Sequence, residues 1–177
     1  MCGIVGIYLK SKKFEKSLGG MLSKMLVSME SRGPDSAGFA IYNSDKNKTY
    51  KYSICLNEMN FEKFKKEIKK KVKLINIEKN SDHVILKSIK KPHEILPILE
   101  SFVEISLVGY GKSIEIFIQV GSLIKVVKNI NLDNFSGTHA IGHTRMATES
   151  AITTNGSHPY STGEDECLVH NGSLSNH

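Results

Sequence analysis

Cys2 is the residue in this chain whose type and position most directly suggest chemistry. It lies directly behind the initiator methionine, and cysteine is small enough for that methionine to be clipped. Clipping would leave one residue carrying both a thiol and a free α-amine. An α-amine titrates near neutrality, so it can take the thiol proton and return it to a leaving group. The plainer alternative makes Cys2 a small residue before a strand.

Three further stretches offer chemistry. In Gly137-Thr138-His139-Ala140-Ile141-Gly142-His143-Thr144-Arg145-Met146-Ala147-Thr148, an apolar run delivers Arg145 to the start of a Ser/Thr-rich loop. A guanidinium fork there matches an α-carboxylate in two hydrogen bonds. Asn171-Gly172 is a strong hairpin-turn signal. The functional alternative to that turn is an oxyanion hole, with the side-chain amide and the glycine N–H aimed at the oxygen that becomes negative when a thiolate attacks an amide. Arg32-Gly33-Pro34-Asp35 is a turn that could also wall a site, and its spacing leaves both readings open.

These residues need elements to position them. Cys2 to Leu9 is β-branched and almost continuously apolar, which predicts a strand covered on both faces and carrying Cys2 at its start. Leu18, Met21, Leu22, Met25, Leu26 and Met29 recur at intervals of three and four, predicting an amphipathic helix with methionines as core filler. Phe39 to Tyr42 and Thr49 to Cys55 read as the two strands of a hairpin around the polar turn 43–47. Ala140 to Thr144 reads as a buried strand, and Cys167 to His170 as another, with Cys167 a buried strand residue.

Between about 57 and 106 the order helix, strand, strand, helix, strand suggests a small α/β insertion with its own core. Its helices fall at Phe61–Ile68 and Glu94–Phe102. Its strands fall at Val72–Ile77, Val84–Ile89 and Val103–Val108, and a further strand follows at Ser113–Val120. His83 and His93 lack a partner at metal-ligand spacing and read as surface residues. Leu123 to Val127 is a short element of undecided type.

The 177 residues, 40% hydrophobic and 24% charged, suit one soluble domain with a sizeable core. No apolar run of about 18 residues exists to span a membrane, and the N-terminus lacks the basic flank of a secretory signal, so a cytoplasmic protein is expected. Cys2, Cys55 and Cys167 are too scattered for a disulfide framework or a CxxC metal site, and no metal is expected. The net charge of +6 comes largely from lysines between Lys63 and Lys91, mostly on one helix-like segment. A solvated face explains them better than nucleic-acid binding, for which no aromatic-basic interleaving is present.

Taken in series, Cys-Gly-Ile-Val-Gly at the N-terminus, Arg-Gly-Pro-Asp-Ser-Ala-Gly, His-Thr-Arg-Met-Ala-Thr, Ser-His-Pro and Val-His-Asn-Gly resemble the class II glutamine amidotransferases, whose glutaminase domains are N-terminal nucleophile hydrolases. The resemblance covers residues 1 to about 55 and about 107 to 177. It implies an α+β fold, a four-layer αββα sandwich interrupted by the insertion at 57–106. It also implies hydrolysis of L-glutamine to glutamate and ammonia, with ammonia passed to a synthase partner. On this resemblance Cys2 matches the nucleophile and Arg145 the arginine that holds the substrate carboxylate. Asn171 and Gly172 match the oxyanion-hole pair, and Thr148 and His158 match positions lining the glutamine pocket. No cofactor is implied at this site, although a synthase partner could carry flavin or iron–sulfur centres.

The wording of the motifs looks closest to stand-alone amidotransferase subunits of split, archaeal-type glutamate synthases. Sugar-phosphate amidotransferases carry tryptophan at the position of Met146 and histidine at that of Glu149. Family members also continue past the Asn-Gly segment and supply an acid for the substrate amine, so a C-terminally incomplete chain is expected, one that binds glutamine weakly and leaves core surface uncovered. Two other readings stay open: an N-terminal nucleophile amidase acting on another amide, and a non-catalytic binding or assembly subunit.

Overall fold

The computed structural model describes residues 2–43, 49–147, 152–154 and 156–172. It is a mixed α+β structure built on antiparallel sheets. The first sheet runs in the order β1 (Gly3–Tyr8), β8 (His139–Arg145), β2 (Ser36–Tyr42), β7 (Ile114–Val120). The second runs β4 (Asn76–Asn80), β5 (His83–Ser88), β3 (Tyr50–Cys55), β6 (Ser106–Gly111), and β9 (Tyr160–Gly163) pairs with β10 (Glu166–Leu168). The helices are α1 (Leu18–Val27), α2 (Phe61–Lys71), α3 (Pro92–Glu100) and α4 (Leu123–Ile130).

Alternation along the strands sorts the core. In β2, Ala37, Phe39 and Ile41 join Leu22 and Leu26 of α1 and Val126 and Ile130 of α4 in one cluster. Ala40, on the opposite face, meets Cys55, Val108 and Ile116 in the cluster between the two sheets. Tyr52 and Ile54 of β3 point the other way again, onto Phe64 and Ile68 of α2 and Ile95 and Leu99 of α3. Local chemistry supports the helices. The Asn60 side chain accepts the N–H groups of Glu62 and Lys63 at the start of α2, and Lys69, Lys70 and Lys71 face the negative end of its dipole.

Several expectations change. Residues 39–55 do not form a hairpin: β2 pairs with β7 and β8, whereas β3 pairs with β5 and β6 in the other sheet. Both strands are buried on both faces and so can serve either sheet, and adjacency in sequence does not settle their neighbours. The core of segment 57–106 is shared, because β5 pairs with β3 along its whole length and α2 and α3 cover Tyr52 and Ile54. Leu123 to Val127 belongs to helix α4.

His83 is also not a surface residue. It is buried between the sheets, where its Nε2 accepts the Ile118 N–H at 3.1 Å. The reason lies in β7, an edge strand of its sheet whose outward backbone donors are buried. Side chains accept them in turn: Asp165 Oδ1 from Ile114 at 3.0 Å, Ser53 Oγ from Ile116 at 2.9 Å, and His83 from Ile118. His93, in contrast, is exposed. No helix among the described residues is long and apolar enough to cross a membrane.

Candidate active site

The pairing of β1 with β8 sets the site. Gly3 lies opposite Thr144 in an antiparallel register, so Cys2, one residue earlier, comes beside the end of β8 that carries Arg145. The half-buried Cys2 has its Sγ 4.0 Å from the Met146 carbonyl oxygen. Thr144 locks this corner: its Oγ1 accepts the Gly3 N–H at 3.1 Å and donates to the Met29 carbonyl at 3.3 Å. A Cβ on Gly3 would lie 2.8 Å from Thr144 Oγ1 and 2.9 Å from Met29 Cβ, which is why the residue after the cysteine has no side chain.

Arg145 closes β8 and is 7% exposed. The Arg-Gly-Pro-Asp turn packs directly against it. A Cβ on Gly33 would stand 2.4 Å from the Thr144 carbonyl carbon and 2.6 Å from the Arg145 nitrogen. The Asp35 N–H donates to the Arg145 carbonyl at 3.1 Å, and Asp35 Oδ2 accepts the Ala147 N–H at 2.7 Å. The turn is therefore a wall of the candidate site, clamping the backbone on both sides of Arg145.

Asn171 reaches the same corner from the segment after β10. Its Nδ2 donates to the Cys2 carbonyl oxygen at 3.2 Å. Just before it, the His170 carbonyl lies 3.0 Å from His143 Nε2. The His158 ring stands 4.2 Å from that of His143, 4.7 Å from that of His170 and 4.2 Å from that of Tyr160, centroid to centroid. Burial pushes His143 down to about 4, and the neighbouring Arg145 charge adds to the effect. Burial, with the positive potential of His143, His170 and Arg145, pushes His158 down to about 3. Both rings are therefore neutral at physiological pH.

The structure thus brings Cys2, Arg145, His158, Asn171 and Gly172 into one neighbourhood, while Thr148 lies outside the described residues. Two contributors went unassigned in the sequence: Asp35, as an anchor for the backbone after Arg145, and His143. An inward-facing histidine in an otherwise small or apolar strand was the available signal for His143. Cys167 is half-buried, with its Sγ 3.3 Å from the Tyr42 hydroxyl, and burial raises its thiol pKa. Among the described residues, no group of three or more His, Cys, Asp or Glu side chains is disposed to hold a metal ion.

The chain is 42% identical over 181 residues to a glutamine amidotransferase-like protein, GlxB, of Rhizobium meliloti, a match covering the whole chain and 60% of that protein. A protein of Methanothermobacter thermautotrophicus whose name carries the same term is 30% identical over 192 residues, covering the whole chain and 63% of that protein. A glutamine–fructose-6-phosphate aminotransferase of Francisella tularensis is 38% identical over 73 residues, which is 41% of this chain and 12% of that enzyme. No family model matches the chain. The chain spans about three-fifths of the length of the two amidotransferase relatives that it matches throughout.

Proposed function

We propose that this chain is the glutaminase part of a class II glutamine amidotransferase, an N-terminal nucleophile hydrolase acting on L-glutamine. One observation carries the reading: Cys2 sits at the Arg145 end of β8 with the Asn171 amide on its carbonyl oxygen. With Met1 removed, the Cys2 amine takes the thiol proton and the thiolate attacks the side-chain carboxamide carbon of glutamine. The Asn171 amide has two protons; one stays on the Cys2 carbonyl and the other is available, with the Gly172 N–H, for the oxyanion. Collapse of the tetrahedral intermediate expels ammonia, which takes the proton from the Cys2 ammonium. Water then cleaves the γ-glutamyl thioester, releasing glutamate and restoring the thiol.

Arg145 holds the α-carboxylate and His158 lines the pocket, a role that the motif resemblance also gives Thr148. A neutral His158 suits this place, because a second cation beside Arg145 would be costly to bury. The three clusters, helix against sheet, sheet against sheet and sheet against helix, support a four-layer αββα sandwich. Within it, residues 57–106 are the insertion relative to the rest of the family. The ammonia is passed to a synthase partner of the glutamate synthase type, which would carry any flavin or iron–sulfur centre, in the cytoplasm. Sequence similarity to amidotransferase-like proteins over the full chain supports the substrate class.

The test is glutamine hydrolysis by the full-length protein and by Cys2→Ala, with asparagine and simple acyl amides alongside and intact mass measured on the active enzyme. Hydrolysis confined to glutamine, lost in Cys2→Ala and associated with loss of Met1 is expected. Full activity in Cys2→Ala, or Met1 retained on active enzyme, would refute it.

A further inference from the structure

We infer that His143 is a positioning residue for the Asn171–Gly172 pair, holding it over Cys2 through the His170 carbonyl; the inference rests on reading that pair as an oxyanion hole. His143 is wholly buried in β8, next to the strand end that carries Arg145. Its ring is neutral, so only one nitrogen carries a proton, and a nitrogen facing a carbonyl oxygen at 3.0 Å must be the one that does. His143 therefore donates Nε2–H to the His170 carbonyl.

That carbonyl belongs to the same planar peptide unit as the Asn171 N–H. Restraining the oxygen restrains the plane from which the Asn171 backbone continues, and so narrows the range of positions open to its side chain. Asn171 and Gly172 are themselves exposed, so packing alone holds them weakly. Their place over Cys2 depends on two tethers, the His143 bond before them and the Asn171 bond to the Cys2 carbonyl. The His158 ring lies against both His143 and His170, keeping the donor and the peptide it restrains in register.

The inference is tested in the full-length protein with His143→Phe, which keeps a packed ring and loses the donor, and His143→Gln, whose longer amide can reach the carbonyl. Glutamine hydrolysis by His143→Phe should lose about tenfold or more in kcat, while KM stays within about twofold, since Arg145 still binds the substrate. His143→Gln should recover most of the loss. Unchanged kcat in His143→Phe, a KM that rises as far as kcat falls, or a glutamine variant no better than phenylalanine would each overturn it.

Hydrogen exchange separates this inference from the reading beneath it. In His143→Phe, amides of a peptide covering 168–172 should exchange about tenfold faster or more, with β1 and β8 peptides unchanged and His143→Gln close to wild type. Equal exchange overturns the inference whether or not the wild type hydrolyses glutamine. A wild type without glutaminase activity overturns the proposed function and leaves the exchange result to decide the tether. Should His143→Phe fail to fold, His143→Asn, whose shorter amide stops short of the carbonyl, replaces it.

Discussion

Acid should unfold this protein through its buried histidines, and the size of the effect can be worked from three of them. His83, His143 and His158 are 1%, 0% and 5% exposed. Burial lowers their pKa values from the ordinary 6.5 to about 4, about 4 and about 3. In the unfolded chain each takes a proton as the pH falls through 6.5, while in the folded protein each stays neutral until the lower value. Between those limits the unfolded state binds more protons, so stability is greatest above pH 6.5 and declines as the pH falls toward 4.

Each group contributes a slope approaching about 1.4 kcal/mol per pH unit, so the three together remove on the order of 5 kcal/mol between pH 7 and pH 5. That is comparable with the whole stability of many domains, typically about 5–15 kcal/mol. Asp165 acts in a lower window. Although burial alone would raise its pKa, the N–H groups of Ser113, Lys112 and Ile114 and the Ser113 hydroxyl hold it below the ordinary 3.8, so its contribution is lost only as the pH falls below that value. Urea unfolding followed by circular dichroism at pH 7, 6 and 5 measures the slope. His83→Gln, whose amide oxygen can still accept the Ile118 N–H but does not titrate, should flatten it by about one third. A wild-type slope no steeper than about 1.4 kcal/mol per pH unit would mean that at most one histidine is held neutral, and would refute the reasoning.

Other expectations follow from single contacts. Gly33→Ala should destabilise by about 1–3 kcal/mol in urea melts and raise KM for glutamine, because the new Cβ overlaps the Thr144–Arg145 backbone; Gly20→Ala, with nothing within 4 Å, should be neutral or stabilising, and equal effects would refute the contrast. Lys51 and Glu115 form a 3.0 Å ion pair at 2% and 13% side-chain exposure. Lys51→Met should cost about 3–5 kcal/mol by leaving Glu115 uncompensated, and the double change Lys51→Met with Glu115→Leu should recover much of it. Iodoacetamide on the native protein should label Cys2 first by mass spectrometry, since burial raises the thiol pKa of both Cys55 and Cys167; faster labelling of either would contradict this.

Much of the candidate site's framework was legible in the chain because its cues are local. The apolar run before Arg145, the strand-forming residues after Cys2 and the small residues of Arg-Gly-Pro-Asp each report what their immediate backbone does. The spacing of Leu18, Leu22 and Leu26 likewise announced the buried stripe of α1. Strand partners were not legible. Residues of β2 and β3 look like a hairpin from their polar turn, yet each strand is buried on both faces, and only the assembled sheets decide that β2 joins β8 and β7 while β3 joins β5 and β6.

The same limit explains His83, whose burial depends on an unpaired N–H of β7 35 residues away. It explains His143 too, whose partner is a carbonyl 27 residues along the chain. The sequence by itself determined which residues could carry chemistry and which stretches are apolar, since side-chain type and periodicity are properties of short stretches. Only the tertiary structure decided that Cys2, Arg145 and Asn171 meet at one corner, because strand pairing and the satisfaction of buried backbone donors are settled between segments far apart in the chain.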